Sequence, residues 1–329
     1  MGFMTWVDGH SHDYWMHMWL LNNYSRRTDD YARADLVFVP AYTNFCLFQR
    51  PKCHNQTNVC DSQWWYGLNE QVAKAHQSSI PSNRLFGACT YPLMSPRWSA
   101  CKDNHERPGL FHQMTQLMHM QWLRVDKDVP FASREVVVPY MLKASLVPLS
   151  LEPRMHLLFV PSRALHGGRA GTSFMRKISH RLLEYPNVVG GDTLKSSAFD
   201  TFAATSEFCL VVPGDTTSSS RLSKFIFAGC VPVVVTPSPT LLPFSNILNW
   251  SSFCVLADTS ELVTNQSQAA LYQRILEVRD QERLRMRGVL RDVRRLLDWS
   301  IGAFPSVFHL TLLELKRNTV LDRTILNRI

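Results

Sequence analysis

Short, unbroken apolar runs alternate with helix-forming stretches through the second half of the chain. Phe208 to Val212 and Val231 to Val235 are apolar and rich in β-forming residues, as expected for strands that are covered on both faces. Met155 to Pro161 predicts another buried strand, and Ser197 to Thr205 predicts a helix. Strands that alternate with helices in this way predict an α/β fold with a doubly wound parallel sheet over residues 155–257.

The first half of the chain carries a weaker version of this pattern. Asp35 to Pro40 and Arg134 to Pro139 are mostly apolar and end in proline, so each predicts a strand. Two prolines interrupt a leucine-rich run near Ser145 to Arg154, and a boundary between two domains is expected there. The prediction is an N-terminal domain over residues 1–148 and a C-terminal domain over 149–329, which ends in helices.

Composition indicates a folded, basic protein. The 329 residues are 45% hydrophobic and 19% charged, and the formal net charge is +8. An excess of positive charge suits a phosphorylated or acidic ligand. It also suits nucleic acid, although the chain has no zinc-finger, RNP or basic-zipper pattern. Nucleic-acid binding therefore stays open as an alternative function.

The N-terminal stretch is oily but repeatedly interrupted by polar residues. No run reaches the roughly 18 apolar residues of a membrane helix, and Met1 to Leu21 lacks the basic start of a signal peptide. Its acidic and histidine side chains look like a metal cluster, but the spacing favours a frayed N-terminus, and no metal site is predicted there. These residues are Asp8, His10, His12, Asp13 and His17.

Cysteines and glycosylation sequons favour the secretory lumen. At least one disulfide is expected in the polar first half, with Cys53–Cys60 and Cys89–Cys101 as open alternatives, and it is favoured over zinc. Cys209, inside an apolar run, is predicted to be a core residue rather than a nucleophile. Four Asn-x-Ser/Thr sequons predict glycosylation. Their asparagines are Asn23, Asn55, Asn249 and Asn265.

A turn rich in hydroxyls separates the two apolar runs at 208–235. Gly214-Asp215 breaks the first strand, and Thr216 to Ser220 supplies five hydroxyl side chains where the next helix begins. The free N–H groups and the dipole of a helix N-terminus favour an anion there, and Arg221 adds a fixed cation. Gly229 is placed to end this helix. The segment therefore predicts a βαβ unit with a phosphate site.

The same residues resemble a known family. The order Ser206, Gly214-Asp215, Ser218-Ser219, Arg221 and Gly229-Cys230 is similar to exostosin-like glycosyltransferases, family 47, of plant or algal type. Further segments also match motifs of that family. They are Arg27-Thr28, Ala34 to Pro40, Glu135 to Pro139, Leu157 to Arg163, Leu242 to Phe244 and Trp250 to Phe253.

The resemblance implies a GT-B fold, with two Rossmann-like domains that face each other across a cleft. It implies a hexosyl- or pentosyltransferase that moves a sugar, with inversion, from a nucleotide-diphosphate sugar to a glycan or glycoprotein hydroxyl. No metal or other cofactor is implied. It also implies a type II membrane protein of the Golgi, in cell wall polysaccharide biosynthesis, held by an anchor upstream of this chain. The implied donor-binding residues are Arg163, Gly214, Asp215, Ser218, Ser219, Arg221 and Lys224.

Two departures from the family pattern affect the donor site. Lys224 stands where related chains carry an acidic residue that accepts hydrogen bonds from a ribose, and lysine only donates. Pro237 stands where an aspartate commonly follows the second strand. Asp215 and Glu207 are close in sequence, and either could supply the lost carboxylate. A family member that binds nucleotide or glycan without turnover is therefore an alternative.

The acceptor side offers fewer candidates. The family's acceptor-side segment is absent between Arg84 and Met120, and the family's leading strand is absent too, so the N-terminus is expected to be truncated or incomplete. Asp103, His105 and Glu106 are candidates for the base that removes the acceptor proton. A polar surface loop is the alternative interpretation of these residues.

Overall fold

The chain forms two compact α/β units. The computed structural model describes residues 12–28, 30, 33–38, 84–88, 121–124, 134–142, 154–161, 181–191, 196–212, 220–300 and 304–326. Unit 1 comprises Met1–Met141 and Val307–Ile329, and unit 2 comprises Leu142–Ser306. The division after residue 141 lies seven residues before the predicted boundary at 148. The C-terminal segment, expected in the second domain, belongs to unit 1.

Unit 1 contains a four-stranded parallel sheet with the strands in chain order. The strands are β1 (Val37–Phe38), β2 (Leu85–Ala88), β3 (Gln121–Arg124) and β4 (Arg134–Val137). β1 and β4 lie within the two segments that the sequence predicts as strands. Val136, Val137 and Val138 are buried, as parallel strands require.

Two helices from opposite ends of the chain pack together in unit 1. They are α1 (His12–Asn22) and α6 (Val307–Leu326); the helices that the structure describes between them in the chain belong to unit 2. The rings of Trp19 and Phe308 stack with centroids 5.0 Å apart, and Met16 and Phe308 are fully buried. The expectation of a frayed N-terminus is therefore wrong for residues 12–22, because Met16 and Trp19 share one helix face and bury it.

His17 is part of this packing. Its ring lies 5.4 Å from the ring of Phe38, and burial lowers its pKa from the ordinary value. Asp8 and His10 lie outside the described residues. Within the part of the chain that the structure describes, no group of His, Cys, Asp and Glu side chains is arranged to hold a metal ion.

Unit 2 contains a five-stranded parallel sheet in the order β6-β5-β7-β8-β9. Its strands are β5 (His156–Pro161), β6 (Val188–Gly191), β7 (Ser206–Val211), β8 (Val231–Val235) and β9 (Val255–Ala257). Helices α2 (Ser196–Thr205) and α3 (Ser220–Ala228) connect β6 to β7 and β7 to β8. The order of strands and helices confirms the predicted parallel sheet over residues 155–257.

The described residues of unit 2 after β9 are mostly helical. These residues form α4 (Asn265–Leu276) and α5 (Asp280–Leu296), as expected for a domain that ends in helices. Met286, Leu290 and Val293 form the buried face of α5, and Arg285 pairs with Glu282 on its exposed face. Among the helices of the described segments, none combines the length and apolar character needed to cross a membrane.

A disulfide joins β7 to the residue before β8. It links Cys209, which is fully buried, with Cys230. Cys209 is a core residue as predicted, but its bond to Cys230 was not expected from two apolar runs. Cys254 is a buried free thiol, and burial raises its pKa. Cys53–Cys60 and Cys89–Cys101 lie outside the described residues.

One arginine, Arg154, binds backbone carbonyls at the edge of the sheet where β7 begins. The Arg154 guanidinium donates from Nη1 to the carbonyls of Ala203 and Ser206, both at 3.0 Å. It donates from Nη2 to the carbonyls of Ala228 at 3.2 Å and Gly229 at 2.9 Å. These carbonyls belong to the ends of α2 and α3 and to the start of β7, so Arg154 fixes both helices against the sheet.

Candidate functional site

The candidate site lies where β7 ends and α3 begins. β7 ends at Val211, α3 begins at Ser220, and the carboxyl ends of all five parallel strands form the same edge of the sheet. Ligands of open α/β sheets bind at this edge. The predicted donor residues Arg163, Gly214, Asp215, Ser218 and Ser219 lie outside the described residues, and their roles stay predictions.

Helix α3 is firmly held below this edge. Leu222, Phe225 and Ile226 are buried, and the helix stops at Gly229, whose φ of 74° favours glycine. The Cys230 amide donates to the Phe225 carbonyl at 3.0 Å, which closes the helix end as a Schellman motif does. The predicted stop of α3 at Gly229 is thus confirmed.

Arg221 is the second residue of α3, in its first turn, and its side chain is partly exposed. Its charge and the positive end of the helix dipole therefore lie together at the carboxyl edge of the sheet. Such a pair of features attracts a phosphate or another oxyanion. Of the predicted donor residues, the structure describes Arg221 and Lys224, and both lie on α3.

Lys224 lies three residues further along α3 and is exposed. Its ammonium is 5.5 Å from the centroid of the Phe199 ring on α2. Phe199 in turn stacks on Phe225 of α3 at 5.4 Å. The Lys224 side chain thus reaches from α3 to a ring of α2, and its ammonium group is at the protein surface.

Glu207 does not take the place of the acidic residue that related chains carry at the position of Lys224. It is the second residue of β7, and its Oε2 lies 3.9 Å from Nη1 of Arg287 on α5. β7 runs from Glu207 away to Val211 before α3 begins, a distance of about 13 Å at 3.3 Å per strand residue. Glu207 is therefore at the opposite edge of the sheet, and its suggested role in the donor site is wrong. Asp215, the other candidate, lies outside the described residues.

The segment that follows β8 is held by hydrogen bonds and buried side chains. Pro237 is exposed just after β8, and the Thr236 hydroxyl donates to the Ser238 carbonyl at 2.9 Å. The two downstream family segments meet where Trp250 donates its ring N–H to the Pro243 carbonyl at 2.9 Å. Phe244 is fully buried at a φ of 51°. These segments therefore hold the backbone that follows β8.

Two consecutive glycines end β6. Gly190 and Gly191 have φ values of 150° and 135°, in the region that favours glycine. Both lie at the carboxyl edge of the sheet, the edge at which α3 also begins. A Cβ on Gly190 would overlap the Val160 carbonyl oxygen of β5, whereas a Cβ on Gly191 would meet no atom within 4 Å.

Three of the four sequon asparagines are described, and all three are exposed. Asn23 follows α1, Asn249 precedes a single helical turn at Trp250–Ser252, and Asn265 begins α4. The Asn249 Oδ1 accepts a hydrogen bond from the Ser251 hydroxyl at 2.7 Å. Asn55 lies outside the described residues, as do the candidate bases Asp103, His105 and Glu106.

The two α/β units are built on parallel sheets, which is consistent with the Rossmann-like units of a GT-B fold. Solved structures similar to this chain include the GtfA/B complex, which is 12% identical, covers 78% of this chain and 60% of that one, and has a TM-score of 0.41. Trehalose-6-phosphate synthase OtsA is 14% identical, covers 76% and 70%, and has a TM-score of 0.40.

Curated relatives come from plants and a nematode. Probable glycosyltransferase At5g25310 of Arabidopsis thaliana is 30% identical over 240 residues, 70% of this chain and 47% of that protein. Probable arabinosyltransferase ARAD1 of the same plant is 27% identical over 175 residues, 50% of this chain and 37% of that protein. Exostosin-1 homolog of Caenorhabditis elegans is 31% identical over 106 residues, 30% and 26% of the two chains. The chain spans about half, or less, of the length of these relatives.

The family model of the exostosin GT47 domain matches residues 5–270, which include α1, both sheets and the whole of α3. This match covers most of the chain and agrees with the motifs around Arg221. The chain therefore belongs to the exostosin GT47 family.

Proposed function

We propose that this protein transfers a sugar from a nucleotide-diphosphate sugar to a hydroxyl group of a glycan or glycoprotein. The observation that carries the proposal is the position of Arg221, in the first turn of α3 at the carboxyl edge of the unit 2 sheet. Membership of the exostosin GT47 family supports it. The acceptor would be a carbohydrate hydroxyl, and the product would have inverted configuration at the anomeric carbon.

The reaction needs two kinds of help from the protein. The acceptor oxygen forms a bond to the anomeric carbon as the bond from that carbon to the diphosphate oxygen breaks, and the leaving diphosphate keeps the electron pair. Arg221 and the N-terminus of α3 would stabilise the charge that develops on it. A base must take the acceptor proton, and its candidates are the predicted residues at 103, 105 and 106.

A second candidate function is binding without turnover. Lys224 favours it, because an ammonium group cannot accept hydrogen bonds from a ribose, and the Glu207 carboxylate lies at the wrong edge of the sheet. In that case the protein would hold a nucleotide or a glycan and release no product. Donor hydrolysis separates the two functions, because a binding protein would retain the nucleotide without cleaving the donor.

We also propose the Golgi lumen as the compartment. The buried Cys209–Cys230 disulfide supports an oxidising environment, where such bonds persist. The exposed sequon asparagines Asn23, Asn249 and Asn265 are accessible to luminal glycosylation. A mobility shift on treatment with an amidase that removes Asn-linked glycans, from protein expressed in a eukaryotic secretory pathway, would support this assignment. An unchanged mobility would oppose it.

Substitution of Arg221 tests the donor site directly. Calorimetric titration of the wild-type protein with UDP and GDP should show binding of one of them, and Arg221→Ala should weaken it by about 10-fold or more, since a charge-assisted phosphate contact contributes about 1.5–3 kcal/mol. Arg291→Ala is the matched control, because Arg291 is an exposed arginine of α5. Equal affinity in Arg221→Ala and wild type would show that the donor diphosphate binds elsewhere.

A further inference from the structure

Three residues of α3 are exposed to solvent, fully or in part. The other six of its nine residues are buried, which leaves Ser220, Arg221 and Lys224 in contact with solvent. Residues three apart on a helix are neighbours on its surface, so Arg221 and Lys224 leave α3 on the same side. Lys224 is about 6 Å along the axis from the first residue of α3, a distance that its own side chain can cover.

The ammonium group of Lys224 is positioned but not neutralised. Phe199, which it contacts, is held by the stacked ring of Phe225 and by the edge-on ring of Phe159, with centroids 5.3 Å apart in the second pair. A ring face attracts a cation without cancelling its charge. Within the described segments, no carboxylate forms an ion pair with Lys224.

This arrangement places two positive charges, rather than one, beside the positive end of a helix. A single cation at a helix N-terminus serves one phosphate group well. A second cation next to it adds attraction in proportion to the extra negative charge on the ligand. A diphosphate gains from both cations, whereas a monophosphate is already served by Arg221.

We propose that Lys224 determines the specificity of this site for nucleoside diphosphates over monophosphates, by supplying a second cation to the diphosphate group. The inference rests on the proposed function, since it assumes that the donor diphosphate binds at the start of α3. It assigns to Lys224 a contact with phosphate oxygens. In this structure the same ammonium rests on Phe199.

Two substitutions separate the charge of Lys224 from its packing. Lys224→Met keeps an unbranched apolar side chain on Phe199 and removes the charge, while Lys224→Arg keeps both the charge and the ring contact. The affinities for UDP and UMP, or for GDP and GMP if the guanine nucleotide binds, are measured by calorimetric titration at low salt. Lys316→Met is the matched control, because Lys316 is an exposed lysine of unit 1 paired with Asp35 at 3.4 Å.

In Lys224→Met the diphosphate should bind about 3- to 5-fold more weakly, and the monophosphate should change less than about twofold, as expected for one exposed charge contact. Lys224→Arg should restore the diphosphate affinity, and Lys316→Met should match the wild type. The loss in Lys224→Met should shrink as salt is added. An equal melting temperature for all variants shows that packing is not the cause.

Three results would overturn the inference. If Lys224→Met binds the diphosphate like the wild type while Arg221→Ala loses it, Lys224 has no such role and the proposed function stands. If Lys224→Met weakens both nucleotides equally, the discrimination has another source. If the wild-type protein binds neither UDP nor GDP, the proposed function and the inference both fail.

Discussion

At the scale of single residues, Arg154 shows how one side chain positions two helices. Its guanidinium donates to carbonyls at the ends of α2 and α3 and at the start of β7. Its pKa is lowered to about 10, mainly by burial, with a smaller contribution from the charge of Arg287 and an opposing one from Glu207. It is therefore charged at neutral pH, and it bonds to the ends of helices, where charge is favourable.

Replacement of Arg154 should destabilise unit 2. Arg154→Lys keeps the charge but cannot reach four carbonyls with one ammonium group, so we expect a loss of about 2–3 kcal/mol in the free energy of unfolding, and a larger loss in Arg154→Ala. Urea unfolding followed by circular dichroism measures both. Arg291→Ala, on the exposed surface of α5, should stay within about 0.5 kcal/mol of the wild type. An unchanged midpoint in Arg154→Ala would mean that water replaces these bonds at no cost.

At the scale of elements, the disulfide from β7 to the residue before β8 connects the two strands that flank α3. It closes a loop over a sequence separation of 21. We expect the double variant Cys209→Ala/Cys230→Ala to lose about 2–4 kcal/mol of stability relative to the oxidised protein. Unfolding with and without reductant measures the difference, and peptide mapping under non-reducing conditions identifies the link. A mapped free thiol at Cys209 in oxidised protein would contradict the assignment.

The pairing of α1 with α6 gives unit 1 a pH dependence. The pKa values of His17 and His309 are both lowered by burial from the ordinary value of 6.5. As pH falls through 6.5, the unfolded chain binds protons before the folded one does, so stability present above pH 6.5 is lost as the solution becomes mildly acidic. The melting temperature should therefore fall between pH 7.5 and about pH 5. His17→Leu/His309→Leu should fall less, and equal slopes for both proteins would refute the assignment.

At the scale of the whole molecule, the sequence predicts unit 2 far better than unit 1. Apolar runs such as 208–212 and 231–235 report buried parallel strands directly, and the Gly229 stop and the hydroxyl-rich turn place α3 between them. The contacts that escaped prediction join residues far apart in sequence, such as Trp19 with Phe308 or Arg154 with Gly229. Local pattern does not determine such partners, because many side chains of the same type compete for them.

In the candidate site, too, local sequence predicts the position of a residue along its element but not its distant contacts. Arg221 was found from its place after a strand, a glycine and a row of hydroxyls, all features of local sequence. The wrong suggestion of Glu207 came from nearness in sequence, since a strand carries a residue across the sheet within a few positions. The cation–π contact of Lys224 depends on how α2 lies beside α3, which only the folded sheet determines.

The assignment of α6 to unit 1 has a consequence for synthesis on the ribosome. Unit 2 is a continuous insertion between Met141 and Val307, whereas unit 1 needs residues from both ends of the chain. Unit 2 can therefore complete its sheet while α6 is still untranslated, and Trp19 of unit 1 must wait for Phe308. During that interval the apolar face of α1 lacks its last partner, so nascent chains that stall before residue 307 should be the ones that chaperones retain.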